Sequence, residues 1–580
     1  MTSSKRRNPV VPVEKAMRVP LRLHTNPACC LSLCSMAILA SLIPAAAPLQ
    51  AEDVSNIKFS QSVSTISAFD FIEVTAEVKT PSVQNPFTDA SFTGDFEPTG
   101  SPKKVFVTGF CDSADGTVYR IRFVPSKPGA YTFHVALKAG SSTKDESGIF
   151  TATDERRKGP IRVDPAYPWS FIWEGTGEHY FFNGTTSYWL LGWRDERTIQ
   201  YSIDRLARLK VNRMRVTLAG RTSTFYGEPV MNGERWNMLI DPWPARDIHD
   251  FYHPGFDYAR FNVSYWQKFD RMLRYARDKN MIISIVLGMN DEHDHPAAGS
   301  EDERRYIRYA VARLGSFSNI TWDLGDDLDG FRDEAWSHET GSLIEELDPY
   351  HHLATSHPVK TIHQDRASSW FGFTSYQDWS RDQHTLMLES RELQKKARRT
   401  IPQTNEEYGY EDHYPEWAAA GSDSADVLRR TAWDIYMAGG YQTAGESARR
   451  GTNIWPDTGG GWMNGRGDDT QTMFLGYGHI VDFFTQFEWW KTSPHDELVN
   501  KGNYCLADPG NLYAVYLPHG GELKIQLASG KYRGEWFNAT SGQRIELPDV
   551  VEGPSWSSPG PPEESGWHGA QDWALLLRRQ

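Results

Sequence analysis

The segment Met281–Leu287 constrains the fold of this chain more than any other stretch. It reads Met-Ile-Ile-Ser-Ile-Val-Leu, so every position except Ser284 is apolar. A strand that is apolar on both faces is buried on both faces, as in a parallel sheet covered by helices. Residues 265–279 precede it and place Phe269, Met272 and Leu273 on one face of a predicted amphipathic helix. A helix that leads into a doubly buried strand predicts a repeating βα unit.

The same alternation of helix and apolar strand extends over a long part of the chain. Further strands are predicted at 211–216, 320–324, 352–355, 370–374 and 399–404, and a last βα unit runs from about 432 to 490. Eight such units fit within residues 164–495 and predict a (β/α)₈ barrel, also called a TIM barrel. A doubly wound sheet is the competing interpretation, but the chain has no G-x-G-x-x-G fingerprint to support it.

Residues on both sides of the predicted barrel have a different pattern. Short runs that alternate with period two, such as 71–78 and 131–135, fill residues 52–163 and are separated by turns rich in Pro, Gly and Ser. Residues 496–580 return to the same pattern. Many short strands with such punctuation predict β-sandwiches. The chain is therefore predicted to be multidomain, with a central barrel flanked by N-terminal and C-terminal β-sandwiches.

The first 51 residues have the features of an export signal. A leader with six basic residues precedes an apolar run at 29–43, and small residues follow to about Ala51. We expect the mature protein to be secreted or periplasmic, with no membrane span after removal of the signal; a non-cleaved anchor is the alternative. The remaining cysteines, Cys111 and Cys505, form neither a disulfide framework nor a zinc-ligand cluster. The net charge of −14 disfavours nucleic acid as a partner.

Two dense carboxylate clusters follow predicted barrel strands. The fourth strand leads into Gly325–Asp329, and the seventh leads into Asn405–Glu411. Catalytic groups of such barrels lie at the carboxyl ends of the strands, and three βα units bring both clusters to one rim. A protonated and an ionised carboxyl group facing each other are what cleavage of a glycosidic bond requires. Helix capping is the alternative role for each single aspartate, because Asp is a common N-cap residue.

The residues of these two clusters resemble a known family. The segments Asn319–Asp327 and Glu407–Glu411 are similar to motifs of the apiosidase-like glycoside hydrolases, which commonly read W-x-x-G-G-D and E-P-x-Y-E. The resemblance implies a retaining double-displacement enzyme with Asp327 as the acid/base and Glu407 as the nucleophile. The chain departs from the pattern at Asp326, where the family often has Gly or Asn, and at Tyr408, where it often has Pro.

The resemblance extends to both flanks and leaves one alternative at the site. Residues 52–163 resemble a sandwich domain of unknown function that often precedes such barrels, and residues 496–580 resemble a sandwich of the collagen-binding type. Glu406 stays open as a second candidate nucleophile, because the register rests on one short motif.

Other residues near strand ends are predicted to contact the substrate. Arg215 is expected to fix a carboxylate, either a catalytic one or one on an acidic sugar, although a structural salt bridge fits equally. Tyr376 is expected to hydrogen-bond the nucleophile. Tryptophans after strand eight are candidate sugar platforms, with packing as the alternative role. The predicted substrate contacts are Arg215, Asn290, Asp326, His357, Tyr376, Gln377, Glu406, Trp455 and Trp462.

No metal or cofactor is predicted from the sequence. Asp291, His293, Asp294 and His295 form a suggestive run, but no matching cluster completes a ligand set, so a solvated loop is favoured. The expected partner is a poly- or oligosaccharide, and the sequence does not predict the oligomeric state. The alternative function is a non-catalytic carbohydrate-binding or adhesion protein on a barrel scaffold. An esterase is disfavoured because no G-x-S-x-G motif occurs.

Overall fold

The computed structural model describes residues 56–140, 142–220, 233–250, 253–289, 295–359, 367–411, 424–446, 460–467, 473–562 and 571–580. The predicted signal segment 1–51 lies outside these residues. In the part of the chain that the structure describes, no helix has both the length and the apolar character to cross a membrane.

The N-terminal part consists of strands in two mostly antiparallel sheets. One sheet has the order β1-β3-β7-β6, and the second has the order β2-β9-β8-β4-β5, in which β2 and β9 run parallel. Alternate residues of both sheets, among them Val74 and Phe96, are buried in a shared core, as the period-two pattern predicts. A three-stranded sheet, β10-β11-β12, leads to the barrel. The bounds are β1 Ile57–Gln61, β2 Thr65–Ser67, β3 Ile72–Val78, β4 Ala90–Pro98, β5 Val105–Thr108, β6 Phe110–Cys111, β7 Val118–Phe123, β8 Gly129–Ala139, β9 Ser142–Thr153, β10 Ile161–Val163, β11 Phe171–Trp173 and β12 His179–Tyr180.

The middle of the chain forms the predicted barrel of eight parallel strands. The strands follow one another around the sheet in chain order. The fifth and sixth strands are the two ends of this order, and a hydrogen bond from Gly372 N to Ala354 O at 2.8 Å connects the segments beside them. The bounds of the eight strands are β13 Asn183–Thr186, β14 Arg213–Thr217, β15 Ile282–Val286, β16 Ile320–Asp323, β17 Ala354–Thr355, β18 Thr374–Gln377, β19 Gln403–Glu407 and β20 Tyr441–Ala444. The sequence-based prediction of a (β/α)₈ barrel is confirmed.

Helices cover the outside of the barrel. The second helix, α2, buries Trp266, Phe269 and Leu273, the face that the 3.6-residue period predicts. Asp195, Ser300 and other short polar residues cap helix N-termini by accepting from a backbone N–H. The bounds are α1 Glu196–Arg208, α2 Val263–Asp278, α3 Glu301–Leu314, α4 Glu334–Leu347, α5 Gln383–Ala397, α6 Ala425–Met437, α7 Gly461–Asn464 and α8 Met473–Phe484.

Strands β18 and β19 begin four residues later than predicted. The residues expected to open the seventh strand instead close α5: Arg399 N donates to Gln394 O at 3.3 Å, and Ile401 N donates to Gln394 Oε1 at 2.7 Å. Backbone groups used in this way cannot pair in the sheet. As a result, Glu406 and Glu407 lie within the seventh strand and not in the loop after it.

The C-terminal part contains an antiparallel sheet packed on the barrel. Its order is β21-β22-β23-β29-β25-β26, with β27 beside β25, and a separate pair is formed by β24 and β28. The Tyr516 ring stacks on Trp433 of α6 with centroids 4.8 Å apart, and the buried Asp572 pairs with Arg429 of the same helix. The bounds are β21 Ser493–Pro494, β22 Tyr504–Asp508, β23 Leu512–Leu517, β24 Leu523–Gln526, β25 Lys531–Asn538, β26 Arg544–Glu546, β27 Val551–Glu552, β28 Ser555–Ser558 and β29 Trp573–Arg579.

Candidate active site

The barrel interior contains a buried ion pair below the rim. Glu406 of β19 pairs with Arg213 of β14 and accepts from Ser375 Oγ at 2.6 Å. Arg213 Nη2 also donates to Ser284 Oγ at 2.8 Å. The exposed fraction of Glu406 is 0%, so the structure places this residue inside the barrel and not at the rim, where a substrate contact or a rival nucleophile was expected.

A β-bulge gives the neighbouring Glu407 a different position. Strands β18 and β19 pair Tyr376 with Asn405 and then Gln377 with Glu407, so Glu406 has no partner in the register. The Asn405 side chain points outward and donates to Gln383 Oε1 at 2.8 Å. In a regular strand Glu407 would also point outward, because side chains alternate. The extra residue turns Glu407 toward the rim, a use of bulges that is common near active sites.

Glu407 lies among hydrogen-bond donors. Gln377 Nε2 donates to Oε1 at 2.8 Å, and the Tyr188 hydroxyl lies 3.0 Å from Oε2. The exposed fraction of Glu407 is 6%. Burial raises the pKa of Glu407, and this rise is opposed by the charge of Arg215 and by hydrogen bonds from Tyr188, Tyr410 and Gln377. The donors favour the ionised carboxylate that a nucleophile needs.

Tyr188, which was not among the predicted site residues, connects the groups at the rim. It follows the first barrel strand, β13, by two residues. Its hydroxyl accepts from Arg215 Nη1 at 2.7 Å and lies 2.9 Å from Asp326 Oδ1 as well as 3.0 Å from Glu407 Oε2. Burial raises the pKa of Tyr188 well above its usual value, so the hydroxyl keeps its proton. The hydroxyl has one proton and can donate it to only one carboxylate at a time, so the hydrogen bonding of Asp326 is coupled to that of Glu407.

Arg215 is held by carboxylates of the barrel. Its Nε and Nη2 donate to Asp323 Oδ2 at 3.1 and 2.9 Å, and Nη2 lies 2.9 Å from Asp326 Oδ1. Of the roles that the sequence left open for Arg215, the structure gives it the fixing of carboxylates within the protein.

Asp327 lies on a tightly held loop after β16. Asp326 N donates to Gly288 O at 2.9 Å and Leu328 N donates to His357 O at 3.0 Å, so the ends of the third and fifth strands fix the loop on both sides. Asp327 has φ 49° and ψ 41°, in the left-handed region, and its side chain does not cap the turn that follows. The capping role is therefore not what the carboxyl group does here.

The Asp327 carboxyl group is in an environment opposite to that of Glu407. Its Oδ1 is buried without a hydrogen-bond partner among the described residues. Burial, together with the charges of Asp326 and Glu407, raises the pKa of Asp327 to about 8. A carboxyl group in this environment carries a proton at neutral pH, as a general acid must.

His357 lies between the two clusters and is fully buried. Its Nδ1 is 3.1 Å from Ser375 Oγ, while Nε2 is 3.6 Å from Asp326 Oδ1 and 3.8 Å from Glu407 Oε2. Burial and the charge of Arg215 lower the pKa of His357 to about 4, so the ring is neutral at physiological pH. These three residues can offer a nitrogen and two carboxylate oxygens to one ion.

Three further predicted residues are placed differently from expectation. The Tyr376 hydroxyl donates to Met387 Sδ at 2.7 Å, on the helix side of the sheet, because it alternates with the inward-facing Gln377. Trp462 is 5% exposed and meets the rings of Tyr188 and Tyr410 edge-on, so it forms a wall behind the site and not an open platform. His295 is partly buried and stacks on Phe331, where burial lowers its pKa to about 4. The predicted residues Asn290, Asp291, His293, Asp294 and Trp455 lie outside the described residues.

Comparison with known families assigns the barrel. Residues 171–445 match the family described as the apiosidase-like catalytic domain. Residues 171–445 therefore form an apiosidase-like catalytic domain, and the chain is a glycoside hydrolase. Residues 65–138 match a domain of unknown function, DUF5060, which agrees with the predicted N-terminal sandwich. The match to a catalytic domain favours an enzyme over the alternative of a non-catalytic binding protein.

Solved structures share the fold of this glycoside hydrolase. A candidate glycoside hydrolase from Bacteroides vulgatus ATCC 8482 has a TM-score of 0.71 and 19% identity, with 89% of this chain and 100% of that chain covered. A family 5 glycoside hydrolase from the same organism has a TM-score of 0.56 and 16% identity, with 73% and 94% covered. At these identities the likeness shows the fold. No curated protein matches the chain.

Proposed function

We propose that this glycoside hydrolase cleaves a poly- or oligosaccharide with retention of configuration, using Asp327 as the acid/base and Glu407 as the nucleophile. The observation that carries the proposal is the contrast between the two carboxyl groups. Oδ1 of Asp327 is buried without a hydrogen-bond partner among the described residues, and the pKa of Asp327 is raised to about 8. Glu407 is surrounded by donors from Tyr188 and Gln377 that favour its anion.

The chemistry follows from this contrast. In the first step Glu407 attacks the anomeric carbon, the glycosidic bond breaks, and Asp327 gives its proton to the leaving oxygen. The product of this step is a glycosyl ester on Glu407 with Asp327 ionised. In the second step Asp327 takes a proton from a water molecule as the water attacks the anomeric carbon. The ester bond breaks, and both carboxyl groups return to their starting states.

The wider proposal concerns substrate, location and organisation. The description of the family names an apiosidase, so an apioside belongs among the first substrates to test. The leader at 1–51 supports a secreted or periplasmic location for an enzyme that acts on external saccharides. We take residues 52–163, 164–495 and 496–580 as its three domains, with the chemistry confined to the middle one.

The test is hydrolysis of a panel of oligosaccharides and aryl glycosides, including an apioside, by the wild type and two variants. Glu407→Gln should lose essentially all turnover, and Asp327→Asn should lose about 10²–10⁴-fold on substrates with poor leaving groups. Tyr376→Phe is the matched control, because its hydroxyl faces Met387, and it should keep activity. Proton NMR of the first-formed anomer of the product should show retention. Inversion, or full activity of Glu407→Gln, would refute the proposal.

A further inference from the structure

The unusual feature of the site is a buried nitrogen that has no hydrogen-bond partner in the part of the chain that the structure describes. His357 Nε2 has no hydrogen bond among the described residues, although the exposed fraction of the residue is 0%. The atom is directed at Asp326 Oδ1 and Glu407 Oε2, which lie 3.6 and 3.8 Å away. A buried polar atom that lacks a partner costs free energy unless something binds to it.

The hydrogen-bond chain behind His357 determines what that atom can bind. Ser375 Oγ donates to the Glu406 carboxylate at 2.6 Å, and Glu406 is held as an anion by Arg213. Since the serine proton is used there, His357 Nδ1 must donate to Ser375 Oγ. A neutral ring with its proton on Nδ1 has a lone pair on Nε2. Metal-binding histidines are typically oriented in this way by a hydrogen bond from the other ring nitrogen.

The spacing of the three donors fits a small cation. Two ligands about 2.1 Å from a zinc ion at a tetrahedral angle are about 3.4 Å apart. The distances of 3.6 and 3.8 Å from His357 Nε2 to the two carboxylate oxygens are within a few tenths of an ångström of this value, and all three ligand atoms lie within 4.8 Å of one another. A set of one imidazole and two carboxylates suits zinc-type ions, whereas magnesium prefers oxygen ligands alone in an octahedron.

The local charge also favours a cation. Among the described residues, Arg215 is the positive group in contact with the cluster, and it faces Asp323 and Asp326, with Glu407 close by. Three carboxylates against one guanidinium give an excess of negative charge when all are ionised. In a site with so little exposure this charge is poorly screened, so it attracts a divalent ion.

We propose that Asp326, His357 and Glu407 form a binding site for a divalent ion of the zinc type, and that the bound ion inhibits hydrolysis. The inhibition rests on the proposed function, because the ion occupies the carboxylate oxygen with which Glu407 attacks the sugar. Metal and substrate therefore compete for the same place. The binding itself depends only on the three donors and is separable from the chemistry.

The experiment is calorimetric titration of the EDTA-treated, dialysed full chain with ZnCl₂, followed by inhibition kinetics. We expect one saturable site per chain, no comparable binding of MgCl₂, and competitive inhibition by ZnCl₂. Glu407→Gln and Asp326→Asn should each weaken binding by about tenfold or more, as loss of groups around a metal does. His134→Ala, a change of an exposed histidine in the N-terminal sheet, should bind as the wild type does.

The outcomes separate the metal site from the proposed chemistry. Failure of folded wild type to bind ZnCl₂, or equal binding by wild type and Glu407→Gln, would overturn the metal site and leave the hydrolytic mechanism intact. Thermal melting of each variant without metal identifies those that have lost the fold, and His357→Gln is then compared with Asp326→Asn as a second test of the ligand set. Stimulation of turnover by stoichiometric zinc would instead contradict the role of Glu407 as nucleophile.

Discussion

The Tyr188 hydroxyl lies 3.0 Å from Oε2 of Glu407 and joins the end of the first barrel strand to the end of the seventh. The Tyr188 hydroxyl oxygen also accepts from Arg215 Nη1 and contacts Asp326 Oδ1. Through this hydroxyl, Arg215 of the second strand and Asp326, which follows the fourth strand, are linked by hydrogen bonds to the candidate nucleophile Glu407. Replacement of Tyr188 tests that coupling without changing any carboxyl group.

Tyr188→Phe should lower kcat/KM by about 10–100-fold and move the acidic limb of its pH profile to higher pH. The reason is that Glu407 loses a donor that favours its anion, so its pKa rises further. The profile is measured with one aryl glycoside across the acid range, and Tyr376→Phe serves as the control. A loss of activity with an unchanged acidic limb would show that Tyr188 acts on the substrate and not on Glu407.

The pH profile of the wild type should be bell-shaped for kcat/KM. Glu407 must be ionised, so activity is lost as pH falls through its raised pKa; Asp327 must be protonated, so activity is lost as pH rises through about 8. In Asp327→Asn the alkaline limb should disappear from the residual activity. If the alkaline limb stays at the same pH in this variant, the limb belongs to another group.

With a glycoside that has a good leaving group, Asp327→Ala should still form the glycosyl-enzyme but should hydrolyse it slowly. Such a substrate needs little protonation, so glycosylation survives while the second step, which needs a general base, becomes slow. Azide needs no deprotonation to attack the glycosyl-enzyme and should restore turnover, giving a glycosyl azide. Equal losses on activated and natural substrates without an azide effect would remove Asp327 from the acid/base role.

Replacement by glutamine should reduce stability at Glu406 and turnover at Glu407. Glu406→Gln leaves the buried Arg213 without its anion and should destabilise the fold by about 3–5 kcal/mol. Glu407→Gln keeps the shape of the side chain near the rim and should abolish turnover with a much smaller change in melting temperature. Thermal melting and activity are measured for both variants. A stable but inactive Glu406→Gln together with a destabilised but active Glu407→Gln would make Glu406 the functional residue.

The barrel was predictable because apolar runs such as that of β15 alternate with amphipathic helical segments along the sequence. Strand β15 includes Ile282, Ile283 and Ile285, which are apolar on both faces of the strand. Such a pattern is stable only in a sheet that is covered on both sides. Because the carboxyl ends of parallel strands share one rim, the approximate location of Asp327 and Glu407 followed from strand order alone.

The features that the sequence did not predict depend on contacts between distant segments. Strand β13, Asn-Gly-Thr-Thr, has no apolar residue and is stabilised by bonds such as Thr185 Oγ1 to Ala444 O at 2.9 Å, so Tyr188 after it gave no signal. The bulge that separates Glu406 from Glu407 exists only in the pairing of β18 with β19. No periodicity within one strand encodes such a shift, and the two carboxylates therefore remained alternatives until their partners were known.

The most direct measurement is the identification of the residue that carries the sugar during turnover. Asp327→Ala, which should form the glycosyl-enzyme faster than it hydrolyses it, is incubated with an activated glycoside, digested and analysed by peptide mass spectrometry. We expect the mass of one glycosyl group on the peptide that contains Glu407, with fragmentation assigning it to that residue and no label in Glu407→Gln. A label on Glu406, or inverted product without any covalent adduct in a variant that still turns over, would contradict the account.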